Sequence, residues 1–590
     1  MELISEAFKE QLNSVYRNQA YVRVTFGVSN PDAPKVSTIT DNGGLVFSQS
    51  DNIDLGLNIS RTYETLEIGR CVLDGENELY DPDAPKRFTG FTGSLSSNDE
   101  GVWEIPPVII IDFGKNYFTF AGITIQFDTT MENYASEFTL EAYSHGSVVA
   151  TQTHTPTQAI YSKLQEIPEC NKMVLTFLKS NVPNRRLRVL DIVYGITDTF
   201  DDTKMTECTL KNETDVMSTS LPVTQFSFNI FDIDNRYDPD NPENLIQYLE
   251  NGQSVKFELG WELDDGSVEW IPMYTGYTTG DVSVKDAGVA KDISIETISL
   301  LNSLDMIYDE QKWTGNQLDM YTLATNVINF AGYKGSVILP ESMKNYSTKV
   351  LLNGKQVKVC LQLIANACGL ALYMNRNGII EFKDMMPEGN IVHSFTRENM
   401  IQNPTTNRVP QIKTVTTKYF THKVGTDVSD LAEIKIESPV ETEYSVALSN
   451  NADVSYTKTS GVTIVGEPVI TANRFTAKFK GSGTVTVKGK SIEVTENTVT
   501  RKIHETGLDL EMVNELVDSL DYANKFIDLI VAYYSRRADY SFTNRGFPQL
   551  DCGDIVSVTT NYEADKKGTL YYNQIDYAGA ITATSKVLEF

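Results

Sequence analysis

Stretches in which every second residue is apolar recur along this chain, and that period constrains its fold more than any other feature. Val22-Arg23-Val24-Thr25-Phe26, Ile123-Thr124-Ile125-Gln126-Phe127, Phe138-Thr139-Leu140-Glu141-Ala142-Tyr143 and Phe226-Ser227-Phe228-Asn229-Ile230 each place their apolar side chains on one face of an extended strand. Turn signals such as Asn30-Pro31-Asp32 and Asp265-Gly266 interrupt the runs. The pattern predicts short strands assembled into sandwiches or barrels. Twenty-nine Tyr and 26 Phe against 14 Met tilt the composition the same way. With 590 residues the chain exceeds what one hydrophobic core serves, so a mainly β, multidomain protein with a few helices is expected.

The organisation follows from where the pattern changes. Residues 1–45 read as an N-terminal strap, and residues 46–197 as a strand-rich domain closing on Leu187 to Tyr194 before Gly195. A second β unit spans 198–310, with a strand at Val255 to Trp261 and a hairpin return through Trp270-Ile271. Residues 311–424 carry two helices and a hairpin. The first helix runs from Leu318 to Phe330; the second aligns Val357, Leu361, Ile364, Ala365 and Cys368 and stops at Gly369. The hairpin strands, Leu370 to Met374 and Ile379 to Phe382, flank Asn375-Arg376-Asn377-Gly378. A Ser/Thr/Val-rich block over 425–500 reads as an inserted small β-sandwich, and 501–590 as a long helix followed by a last β domain. That helix is predicted from about Asp509 to Arg537, with Asp509 as its N-cap and Arg536 and Arg537 at its C-terminal dipole.

Charge and chemistry exclude several classes. Fifty Lys and Arg against 79 Asp and Glu leave a net charge of −29, which repels phosphate backbones and argues against nucleic-acid binding as the main task. No apolar run approaches the roughly 18 residues of a membrane span, and the acidic N-terminus reads as no secretory signal. A soluble protein made in a reducing cytoplasm is expected, with its six dispersed cysteines as free, mostly buried thiols. Cys360 and Cys368 lie too far apart along one helix to bond each other. The five histidines form no ligand motif, and His145 and His154 read as exposed strand-end residues. Gly489-Lys490-Ser491 lacks the first glycine of a phosphate loop. The acidic run from Asp232 to Asp240 crowds carboxylates, but Arg236 sits among them and the sixth-position glycine of a calcium loop is missing, so turn formation is the reading. Asp551-Cys552-Gly553-Asp554 reads as a β-turn entering a strand. No enzyme activity, cofactor or metal is expected.

Two stretches resemble known families. Leu73-Asp74-Gly75, Trp103, Ile111-Asp112-Phe113-Gly114, the strands from Gly122 and Phe138, and Arg188 to Gly195 resemble in their order the discoidin-like (coagulation-factor C-type, galactose-binding) jelly roll. That resemblance implies glycan or lipid-headgroup binding by loops at one end. Trp103, Tyr134, Asn184 and Arg185 are the candidates, as aromatic or hydrogen-bonding groups near predicted loop tips.

The second succession runs from Phe231-Asp232-Ile233-Asp234-Asn235-Arg236-Tyr237-Asp238-Pro239 through Gly260-Trp261, Glu269 to Gly276, Leu361 to Tyr373 and Arg376-Asn377-Gly378 to Arg545-Gly546-Phe547-Pro548-Gln549-Leu550-Asp551-Cys552-Gly553-Asp554. It is similar to the baseplate-hub or tail-associated proteins of tailed phages, prophages and phage-tail-like particles, over about residues 198–590. The resemblance implies a homotrimer with two β-barrel-like hub domains per chain, adapting the tail tube to threefold tip structures. Its implied partners are further copies of itself, the tail tube or distal tail protein, the tape-measure protein, tip or fibre proteins, and a host cell-surface glycan. Its implied place is the virion tail baseplate, after synthesis in the host bacterial cytoplasm. Because the chain stops at Phe590, a cell-wall hydrolase in the same polypeptide is not expected. The alternative is a carbohydrate-binding adhesin without catalytic activity.

Overall fold

The computed structural model describes residues 2, 4–30, 32–45, 48–53, 67, 90–233, 237, 252–286, 291–333, 336–386, 389–561 and 566–589. Cys71, Leu73-Asp74-Gly75 and most of the acidic run after Ile233 lie outside them. The protein is mainly β and multidomain, with several sheets and few helices.

Its largest element is a 13-stranded sheet in which segments distant in sequence lie side by side. Ala20–Ser29 is sandwiched between Gly195–Asp201 and Ser254–Glu262, so Val24 faces Phe200 on one side and Phe257 on the other. The strand belongs here because its alternation buries Val22, Val24, Phe26 and Val28 completely. The expected strap is therefore divided. The helix Glu6–Asn13 seats Phe8 and Leu12 in the core under this sheet, Ala20–Ser29 is one of its strands, and Thr38–Asp41 joins the next domain. The chain can pass between the two domains tightly at Gly195, where a Cβ would meet the Val28 carbonyl oxygen at 2.0 Å.

The sheet continues from Met205–Glu213 into Lys566–Tyr577, where Leu210 faces Phe226 on one side and Ile575 on the other. This pairing fuses the first β unit to the last one over a single core. The expected barrels do not close. Among the described residues the order ends at Gly195–Asp201 and at Thr405–Arg408. The first of these edges is occupied by the neighbouring domain, where Thr124 Oγ1 donates to the Gly195 carbonyl at 3.2 Å and Thr197 N donates to Ser162 Oγ at 2.9 Å.

That neighbouring domain is a sandwich of a five-stranded and a three-stranded sheet sharing one core, to which Ile109, Phe120, Ile125, Phe138, Leu175 and Ile192 contribute. The helices Met320–Phe330 and Val357–Ala367 form where the 3.6-residue period placed them, the first capped by Asp319, whose carboxylate accepts from Thr322 N at 2.9 Å. The hairpin after them also forms, Ala371–Met374 against Ile380–Lys383, with Gly378 at φ 73°.

The long helix is shorter than predicted. It spans Leu520–Tyr534 and is capped by Ser519 rather than Asp509, while Leu508–Glu511 is a strand parallel to Ile412–Ile436. Asn514 explains the difference: its side chain accepts from Leu516 N at 2.9 Å and donates to the Leu363 carbonyl at 2.8 Å. Such local bonds compete with the helical ladder. Ile412–Ile436 and Gly483–Lys502 pair as a long antiparallel ribbon whose far end carries the inserted sandwich. That sandwich folds back onto the body, with Thr471 Oγ1 2.8 Å and Arg474 Nε 2.7 Å from the buried Asp309 carboxylate.

Candidate functional site

The candidate loops lie at one end of the N-terminal sandwich and are organised by short-range polar bonds. Asn98 turns the loop 97–103, its side chain accepting from Glu100 N and Val102 N, each at 2.9 Å. Gly101, at φ 79°, completes the turn, because a Cβ there would meet the Ser180 carbonyl oxygen at 2.7 Å. The loop is thereby clamped to the segment 180–186, where Ser97 and Arg185 exchange bonds: Ser97 N donates to the Arg185 carbonyl at 2.8 Å and Arg185 N to Ser97 Oγ at 3.1 Å.

All four sequence candidates lie at this end, in different states. Asn184 is exposed in a left-handed conformation, φ 57°, and its amide donates to Asp99 at 3.0 Å. Arg185 is half-buried. Tyr134 is half-buried, with its backbone N–H on Asn181 Oδ1 at 2.9 Å and its hydroxyl on the Thr157 carbonyl at 2.9 Å. Trp103 is only 3% exposed, and its indole N–H donates to the Arg185 carbonyl at 3.2 Å. It is a core residue supporting the loops and presents no stacking face. The exposed rim is thus amide, carboxylate and half a phenol ring, a surface that can exchange hydrogen bonds with hydroxyl groups.

Sequence reasoning missed what lies beneath. Arg188, 2% exposed, is held between the buried carboxylates of Glu67 and Asp128, the latter 3.7 Å from its Nε. Asp128 in turn closes the loop to Tyr134 through paired backbone bonds with Asn133. A charged residue within the apolar run Leu187-Arg188-Val189-Leu190 was the available signal.

Other candidates resolve differently. His145 is exposed and stacks on Tyr117, but His154 is 2% exposed, against expectation. It stacks on Phe138 at 4.7 Å and pairs Nδ1 with the Tyr161 hydroxyl at 3.0 Å, and burial pulls its pKa down to about 4. Asp232 accepts from Tyr237 N at 2.8 Å, and the rest of that acidic run lies largely outside the described residues. Asp551 to Asp554 forms the expected turn, with Asp554 N on the Asp551 carbonyl at 3.1 Å, ahead of Ile555–Val558. Cys170, Cys208, Cys360, Cys368 and Cys552 are free and buried. Among the described residues no three His, Cys, Asp or Glu side chains gather as a metal would need, and no helix is long and apolar enough to cross a membrane.

No family model matches this chain, and no curated protein matches it. Several solved structures are similar. A 43 kDa tail protein of prophage MuSo2 from Shewanella oneidensis is 12% identical with a TM-score of 0.38, covering 65% of this chain and 94% of its own. The tail protein from Neisseria meningitidis MC58 is 13% identical with a TM-score of 0.37, covering 65% of this chain and 92% of its own. The family 32 CBM from C. perfringens NanJ, solved in complex with galactose, is 10% identical with a TM-score of 0.18, covering 30% of this chain and 99% of its own.

Proposed function

We propose that this chain is a non-catalytic structural hub of a phage or phage-like tail, working as a homotrimer between the tail tube and the tip structures, with its N-terminal sandwich displayed for contact with host glycans. The carrying observation is the fusion of two β units, edge to edge, through Met205–Glu213 and Lys566–Tyr577. One chain already makes within itself the side-by-side pairing that a ring of copies has to make between chains. The strand available for continuing it is Thr405–Arg408, exposed at all four residues and paired on one side only among the described residues. The order of hub-like segments along the sequence supports the same reading, and we extend to this chain the words tail protein that describe its neighbours from Shewanella oneidensis and Neisseria meningitidis.

The test is the assembly state of edge variants. Neighbouring N–H groups on a strand point to opposite sides. Of Thr406→Pro and Asn407→Pro, one therefore removes an outward donor and leaves the inner ladder intact. That variant should fold and fail to trimerise. Wild-type chains that remain monomeric refute the hub. Flat binding of the full chain across host-wall polysaccharides removes the glycan role and leaves the scaffold.

A further inference from the structure

A cleft lies far along the chain from the sandwich loops, where the ribbon, the inserted sandwich and the helix-bearing domain meet. Its volume is about 320 Å³, at the lower end of small-molecule sites. The ribbon contributes His422 and Val494, the inserted sandwich Asn450, and the body Trp313, Lys355 and Glu515. The walls are held in place, because the Asp309 contacts to Thr471 and Arg474, together with Ala472 N on the Gln311 carbonyl at 2.9 Å, dock the inserted sandwich against the body.

The lining has a definite chemistry. Trp313 offers a half-buried ring, tilted 31° to His422 with centroids 5.8 Å apart. The Nδ1 of His422 lies 3.0 Å from the Phe420 carbonyl, which can only accept, so Nδ1 carries the hydrogen and Nε2 an open lone pair. Lys355 Nζ lies 2.9 Å from Glu515 Oε1, an ion pair on the cleft wall. Among the described residues, the one cation and the one carboxylate of the lining cancel, and burial favours neutral His422. An anion would find Lys355 already matched, and an aliphatic ligand would leave the polar groups without partners.

We propose that this cleft binds a neutral saccharide of one or two rings, stacked on Trp313 and hydrogen-bonded by Asn450 and His422 Nε2. The site differs from the sandwich loops and stands whether or not the chain trimerises. An aromatic face beside polar groups with spare hydrogen-bonding capacity suits a ring with apolar C–H faces and an equatorial belt of hydroxyls.

Saturation-transfer NMR on the full chain tests it, with glucose, galactose, N-acetylglucosamine, rhamnose and their disaccharides at about 10 mM, tenfold above a millimolar Kd. At least one sugar should receive saturation. Trp313→Ala should weaken its binding on the order of tenfold, as truncating an anchoring aromatic does. Asn450→Ala, at an exposed position, should weaken it without disturbing the fold. Both variants are compared in an Arg185→Ala background, so that sugar held by the sandwich loops does not report. Absence of transfer to every sugar overturns the proposal, as does binding in that background that survives both Trp313→Ala and Asn450→Ala.

Discussion

Arg376 and Asp551, 175 residues apart, meet as a buried ion pair with Nη2 2.6 Å from Oδ1. The same guanidinium donates to the carbonyls of Pro272 at 3.1 Å, Pro548 at 2.8 Å and Leu550 at 3.1 Å. One side chain on the hairpin of the helix-bearing domain thereby holds both fused β units. Asp551 and its hydrogen bonds keep the guanidinium charged despite burial, and its pKa stands above the usual arginine value.

Removing one member should cost far more than a surface bridge. Asp551→Asn leaves the buried guanidinium with the more distant Glu2 carboxylate, 3.9 Å from its Nε, and Arg376→Met takes the cation from Asp551 and the donor from three carbonyls, each at about 3–5 kcal/mol. Arg376→Lys should not restore the loss, because an ammonium cannot span the same acceptors. Hydrogen exchange in Ala371–Met374 and Ile555–Val558 is the readout, and unchanged protection in Asp551→Asn contradicts the role.

Two histidines, His154 buried and His393 half-buried, set an acid limit. Burial holds His154 and His393 at pKa values of about 4, against about 6.5 in an unfolded chain. Below pH 6.5 the unfolded chain takes up protons that the folded one refuses, so their effect is to lower stability as pH falls from 6.5 towards 4. Above 6.5 they contribute no slope. His154→Phe keeps the stack on Phe138 and should flatten the dependence in that window, read from urea midpoints at a series of pH values.

The Asp309 contacts should act locally. Arg474 is half-exposed, so most of the docking strength comes from the buried Asp309–Thr471 hydrogen bond. Asp309→Ala should weaken docking by about 1–2 kcal/mol. Exchange should rise at the docking turn around Thr471 to Arg474 and remain unchanged in Ala20–Ser29. Equal deprotection in both places would show that the carboxylate supports the whole fold instead.

The thiols should be silent in the native state. Burial pushes Cys170 up to about 11 and Cys360 and Cys552 up to about 12, with Cys208 and Cys368 raised as well. In a Cys71→Ser background, a thiol-disulfide reagent at pH 8 should label none of these five until denaturant is added.

Much of this structure was legible where the determinant is local. The alternation in Val22 to Phe26 and Phe226 to Ile230 marks strands whose apolar positions are all buried. Gly369 marks a helix stop, and the helix read from Leu318 starts two residues later, at Met320, with Asp319 as its cap. The reading failed where a distant partner decides. Leu510, Val513 and Val517 satisfy a helical period, yet Asn514 bonds to Leu363 and Asn366 and holds that stretch out of the helix. Nothing near Ala20 specifies Ser254–Glu262 as its neighbour, and nothing near Arg376 points to Asp551. At the candidate loops, turn signals placed Asn184 and Arg185 at a loop end, whereas the burial of Trp103 depends on the packing of the whole sandwich.

The mass of the purified full-length chain in solution, followed by analytical ultracentrifugation across a concentration series, tests the hub most directly. The account predicts a species three times the 65.9 kDa of one chain that persists on dilution. A mass of 65.9 kDa at every concentration contradicts it.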